Sequence, residues 1–243
     1  MTDSLFPKGL PPGGMAVTVM NNGSTPSHCP MGSLPDGVTN DQVLDFMKSG
    51  SEDLPDWMLN AGYVGLPDWA VPGGSATGVV DLPAGNYVMF DPFSTRIAFA
   101  TVAEGSGESA PEPESVATID LEEMAIVLPE SGLPSGPARL KIQNVGAMAH
   151  ELGVLPVPAG TTAEQISALF SLPDTATPAP DDALGQALVN FQPVAGMSIL
   201  AKSRTAWLDV DLAPGTYATL CMLPFPAGVF HAMEGMLAVV TIT

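Results

Sequence analysis

Four side chains in this chain of 243 residues could together hold a soft metal ion: His150, Cys221, His231 and Met236. The last three fall in one short stretch near the C-terminus, and His150 comes well ahead of them. Two imidazoles and a thiolate are strong donors, and a thioether is a weak fourth. Copper is held this way where it must serve in both oxidation states: three donors in a plane and a distant axial sulfur. Taken singly, each residue has a plainer use. A strand-end His is usually satisfied by hydrogen bonds, a lone Cys is usually a small buried apolar residue, and Met is common here, with 13 in the chain. Their order raises the set above those uses.

That order, one His first and then Cys, His and Met together, resembles the plastocyanin and azurin (cupredoxin) family. Asn144-x-Gly146 ahead of His150, Tyr217 shortly before Cys221, His231-x4-Met236, and Gly235-Met236 opening a last strand carry the resemblance. It implies one copper per chain, with His150, Cys221 and His231 as equatorial ligands and Met236 as the axial one. Met233 competes for the axial place. A His-x-Met spacing, however, leaves little chain to turn both side chains onto one ion. The resemblance also implies an apolar surround, here Met148, Met222, Phe225 and Phe230. On the hairpin that carries His231, it implies a docking and electron-entry edge, here Pro224, Pro226, Ala227, Val229 and Phe230. Two departures stand out: the Cys221–His231 loop is longer than in small members, and Glu151 follows His150 where the best-known members carry Asn.

The elements that must position these residues occur twice. Residues 6–23 align with 128–146, with Asn21 and Gly23 over Asn144 and Gly146. A His follows in each copy, His28 and His150. Thr39-x-x-Gln42 and Thr162-x-x-Gln165 are capping boxes, in which the Thr oxygen and the Gln amide satisfy backbone groups at a helix start. Asp81-Leu-Pro-Ala-Gly-Asn-Tyr87 matches Asp211-Leu-Ala-Pro-Gly-Thr-Tyr217, and the closing strands 97–102 and 237–242 match as well. Ordered matches of this kind indicate tandem duplication. The expected fold is all-β: two tandem Greek-key β-sandwich domains, each with one short helix in a long loop. A degenerate domain covers 1–104, a polar Pro/Gly-rich linker 105–115, and the copper-binding domain 116–243. The strand expected at 116–127 has no counterpart before residue 6: either the first copy dispenses with it or, the favoured expectation, the natural first domain begins upstream.

The repeat also predicts which half is empty. Asp91 stands where the second copy has Cys221, Arg96 where it has Met236, and the loop lacks a counterpart of His231. A fixed cation at the axial place repels a metal ion. Adjacent residues of a strand face opposite ways, so His28 and Cys29 do not converge on one ion. We read His28 as a relic of the first ligand and Cys29 as a small core or surface residue. A Cys29–Cys221 disulfide is disfavoured, since the two lie in different copies.

Composition narrows the function. The net charge of −19, with only 7 Lys and Arg, excludes nucleic acid and favours a basic or neutral partner. Equally, the charge could act only to keep the chain soluble. No stretch is long and apolar enough for a membrane span. Three His in all cannot supply the further ligands that a laccase or nitrite reductase needs. The reading is therefore a non-enzymatic electron carrier with a redox partner protein, acting in the periplasm or outside the cell as the resemblance implies. A Cu(I) chaperone or a copper-less spacer module are the alternatives.

Overall fold

A computed structural model describes residues 12–51, 53–91, 96–105, 111–172, 177–225 and 228–243. The first aligned repeat segment before residue 12, the middle of the expected linker (106–110), and Pro226 and Ala227 of the expected docking edge lie outside them. The first half contains β1 (Gly13–Met20), β2 (Met31–Ser33), α1 (Asn40–Ser49), α2 (Asp56–Leu59), β3 (Gly62–Tyr63), β4 (Ser75–Leu82), β5 (Gly85–Phe90) and β6 (Ile97–Val102). The second begins with β7 (Ala117–Glu122), β8 (Ala125–Val127), β9 (Gly136–Asn144) and β10 (His150–Val157). It continues with α3 (Ala163–Phe170), α4 (Ala183–Asn190), β11 (Ala195–Leu200), β12 (Thr205–Leu212), β13 (Gly215–Leu220) and β14 (Leu237–Ile242).

Both capping boxes form as predicted, with Gln42 and Gln165 N–H donating to the Thr39 and Thr162 side chains. Behind them α1 buries Val43 and α3 buries Ile166. Each half also carries a second short helix, α2 or α4, where one was expected. Both follow Pro- and Asp-rich stretches whose apolar spacing is too short to read as helical. The strands match more closely. Tyr87 and Tyr217 each donate their hydroxyl to the carbonyl four residues back, Pro83 at 2.7 Å and Ala213 at 2.8 Å, which pins the turn before β5 and β13.

In each half two sheets face each other. The four-stranded sheets run β3-β2-β5-β6 and β11-β10-β13-β14. The opposing layers are not separate. β4 pairs with β12, so one six-stranded sheet, β1-β4-β12-β9-β7-β8, runs through both halves. Residues 64–68 of the first half also bond to β11 of the second: Gly65 N–H to Ile199 O and Asp68 N–H to Gly196 O, both 2.9 Å. Gly78 faces Leu208 across the β4–β12 seam, and each is the fourth residue of its strand. Pro67 likewise faces Met197. Equivalent positions thus meet each other, and the halves pack as an isologous pair would. A side chain at Gly78 would collide with the Trp207 carbonyl, which is why this seam needs glycine. One apolar cluster spans the junction, with Met31, Leu66 and Val80 in the same cluster as Ile119, Leu140 and Leu208.

The register corrects one expectation. Met31 pairs with Met89, the fifth residue of β5, and Val154 pairs with Thr219, the fifth residue of β13. The same step carries Asn21 onto Asn144 and Thr39 onto Thr162. It therefore sets Ser27 at the position of His150, and His28 at that of Glu151. His28 is not a relic of the first ligand. Sequence comparison paired the two His because it had no strand register to count from.

Candidate metal centre

His150 reaches its place through Asn144. At the end of β9 the buried Asn144 amide donates to Met148 O at 2.8 Å and to Leu200 O at 2.9 Å, while its Oδ1 accepts from Gly146 N–H at 3.0 Å. These bonds fold the short loop that starts β10 at His150. Asn21 does the same in the first half, donating to Thr25 O and Ala70 O and accepting from Gly23 N–H. The Asn-x-Gly signal is thus a loop clamp in both copies.

Cys221 directly follows β13. Its N–H donates to Met236 O at 3.2 Å and its carbonyl accepts from Ala232 N–H at 2.9 Å. Between them His231 opens a 3-10 turn, His231–Glu234, with its N–H on Leu223 O at 3.0 Å. Gly235 closes that turn at φ 104°, a conformation that suits glycine and aims Met236 back inward. In the first half the Asp91 N–H donates to Arg96 O at 3.0 Å, which sets Asp91 and Arg96 at the Cys221 and Met236 places as the repeat predicts.

Three of the four expected ligands converge. His150 Nδ1 lies 3.2 Å from His231 Nδ1, and Cys221 Sγ lies 3.5 Å from His231 Nδ1. The three donor atoms sit within 4.8 Å of one another and all three residues are buried. First-row metals bind imidazole nitrogen at about 2 Å, so donors sharing one ion stand roughly 3–4 Å apart. The spacing fits one ion. Met236 is fully buried beside Cys221 in the core, whereas Met233 is 38% exposed, which favours Met236 as the fourth donor. Cys29 and Cys221 are both free thiols.

The electrostatics suit a cation. Burial, together with the neighbouring His150, pushes His231 down to about 4. Burial also lowers His150, against the pull of Glu123. It raises the Cys221 thiol, and the Glu151 carboxylate adds to that. As a metal-free cluster these groups are therefore two neutral imidazoles and a neutral thiol facing each other. A bound cation reverses that preference for the thiol, because a coordinating thiol gives up its proton.

The surround is partly as expected. The Phe225 ring lies 4.5 Å from the His231 ring, and Pro224 bridges to Phe230 across the hairpin, with the partly exposed Val229 near its tip. Met148 and Val145 add exposed apolar surface nearby in sequence to His150. Two carboxylates stand beside the cluster: Glu123, which sequence reasoning missed, and Glu151, which it marked only as a departure from the family. Glu123, in the turn between β7 and β8, accepts the Ala147 and Met148 N–H groups and places Oε1 3.7 Å from His150 Nε2. Glu151 accepts Met222 N–H at 3.0 Å, and its own N–H points to Cys221 Sγ at 3.4 Å. Its position next to His150 was the only signal for Glu151; Glu123 had none.

No family model matches the chain, and no curated protein does. Among solved structures, the chain is similar to a reduced auracyanin from Roseiflexus castenholzii, at 22% identity over 54% of this chain and 99% of that one, TM-score 0.34. It is also similar to a blue copper oxidase from Nitrosomonas europaea (11% identity, 97% of this chain, 75% of that one, TM-score 0.26). A copper-containing nitrite reductase from Thermus scotoductus matches at 10% identity over 99% of this chain and 55% of its own, TM-score 0.27. Paired sheets in each half, a tyrosine pinning the turn before the penultimate strand of each, and a His–Cys–His cluster set by β10 and the β13–β14 connection make this a mostly-β, cupredoxin-like fold.

Proposed function

We propose that the chain is an electron-transfer protein with one mononuclear copper site, which His150, Cys221 and His231 would hold with Met236 as the fourth donor. The convergence of two Nδ1 atoms and one Sγ in a buried pocket carries this reading. Bound there, copper supplies a one-electron couple whose two oxidation states both accept this donor set. The chain's part is rigidity: Asn144, the 3-10 turn at His231 and the Cys221–Met236 backbone bond hold the donors in place, so little rearrangement accompanies a change of charge. Ser27, Asp91 and Arg96 give the first half no equivalent set, which supports one copper per chain.

The histidine count supports a non-enzymatic role. His28, the only other His, is turned to carboxylates, Asp68 at 3.1 Å and Glu151 at 3.6 Å, so this chain alone offers no imidazoles for further coppers. The net charge of −19 supports a basic redox partner, and the resemblance supports a place outside the cytoplasm. No helix among the described residues is long and apolar enough to cross a membrane. The test is a visible spectrum of the copper-loaded protein. An intense thiolate-to-Cu(II) band and reversible voltammetry support the reading; colourless, tight Cu(I) binding points to copper handling, and absence of binding overturns it.

A further inference from the structure

A chain of buried polar groups runs from the first half to the metal centre. Asp68 is fully buried and accepts four hydrogen bonds: from Cys29 N–H (2.7 Å), Trp69 N–H (2.8 Å), Ser27 Oγ (3.0 Å) and His28 Nδ1 (3.1 Å). Four donors converging on one buried carboxylate leave its partners little freedom. It sets the His28 ring with Nδ1–H toward itself and turns Nε2 to Glu151 Oε2, 3.6 Å away. The ring is also stacked on Trp69, centroids 4.6 Å apart, and Trp69 keeps a left-handed φ of 62° in that place. Such a backbone is costly for a non-glycine residue and persists only where its surroundings demand it.

On the far side, Glu151 holds Cys221 and the residue after it. Its backbone N–H points to Cys221 Sγ, and its Oε1 accepts the N–H of Met222, the next residue along. A hydrogen bond to a thiolate sulfur withdraws electron density from it, and outer groups of this kind tune a metal site. Resting on the copper reading above, we propose that His28, from the half without ligands, is a positioning residue for the copper centre: anchored by Asp68, it holds the Glu151 carboxylate so that Glu151 clamps the Cys221 sulfur.

Two variants separate this role from simple packing. His28→Asn places an amide near the Nδ1 position and keeps the Asp68 bond, but falls short of Glu151. His28→Gln reaches toward Glu151 from the Nε2 position and gives up Asp68. In metal-free protein, amide exchange at Glu151 and Met222 speeds by about tenfold relative to Val154 on the same strand in the Asn variant, as loss of the buried His28–Glu151 contact implies. It stays near wild type in the Gln variant. In copper-loaded protein, the Asn variant shifts the thiolate-to-Cu(II) band and lowers the reduction potential, while the Gln variant keeps the wild-type band. Equal exchange change at all three amides, a shift in Gln larger than in Asn, or unmoved band and potential in Asn overturns the proposal. The Gln result stands alone if the Asn variant does not fold. A wild-type protein without a copper band sinks the copper reading, and the exchange data still report on the clamp separately.

Discussion

His28 and Glu151 occupy the same register position in the two halves of the chain, and they face each other across the junction at 3.6 Å. One is followed by a cysteine that is not part of a donor cluster; the other sits between His150 and the Cys221 sulfur. The proposed donors lie in the second half, and the first half places a buried carboxylate and an imidazole, Asp68 and His28, behind them.

Cys221→Ser should abolish the thiolate-to-Cu(II) band with little loss of fold, since serine fills nearly the same volume. Cys29→Ser should leave the band alone, because Cys29 lies at the Asp68 end of the junction, and burial raises its thiol to about 12. Spectra of the two copper-loaded variants check this. Bleaching by Cys29→Ser with colour retained in Cys221→Ser would move the site to the first half.

Met236→Leu should keep copper and its colour but raise the reduction potential, because a donor that favours Cu(II) is removed. Met233→Leu should change the potential much less, its side chain being 38% exposed while Met236 is fully buried. Voltammetry of both variants decides. A larger shift for Met233 would show that the 3-10 turn at His231 unwinds when the ion binds.

Asn144→Ala removes three hydrogen bonds that close the loop ahead of His150. At about 1 kcal/mol each, the loss of stability should be roughly 2–4 kcal/mol. Asn21→Ala should cost a similar amount, yet only Asn144→Ala should also weaken copper retention. Denaturant melts and competitive chelation measure the two effects. Equal copper loss in both variants would show that the weakening is global.

The junction should be pH-sensitive in the metal-free protein. Burial opposes protonation of His28, but the Asp68 hydrogen bond and the nearby Glu151 and Asp91 outweigh it and raise its pKa above 6.5. Burial raises the Glu151 carboxyl too, with His28 pulling the other way. At both groups the folded state holds protons that the unfolded chain has released. Their contribution is therefore complete below the unfolded values and declines as pH rises through the folded ones. The stability advantage of wild type over His28→Gln should shrink as pH rises above 6.5, the ordinary histidine value. Thermal melts across that rise test it, and an advantage that grows with pH counts against the assignment.

Local signals made much of this protein legible from its residues. Thr39 and Thr162 with their Gln partners announce helix starts through short-range capping chemistry, and both form. Tyr87 and Tyr217 mark the same turn in each copy. The donors His150, Cys221, His231 and Met236 stand out because metal chemistry restricts residue types and order. These are features written within a few residues of each other, or repeated, and so need no knowledge of the packing. The rest depends on which strands meet. Nothing local says that β4 pairs with β12, that Asp68 lies beside β11, or that a Cβ at Gly78 would strike Trp207. The one-residue slip that paired His28 with His150 has the same origin. In a strand, a shift of one residue exchanges the two faces, and only the pairing of Met31 with Met89 and Val154 with Thr219 fixes the count. Glu123 and the Asp68–His28–Glu151 chain become visible only then, because burial and distance across the junction, rather than residue type, give those carboxylates their role.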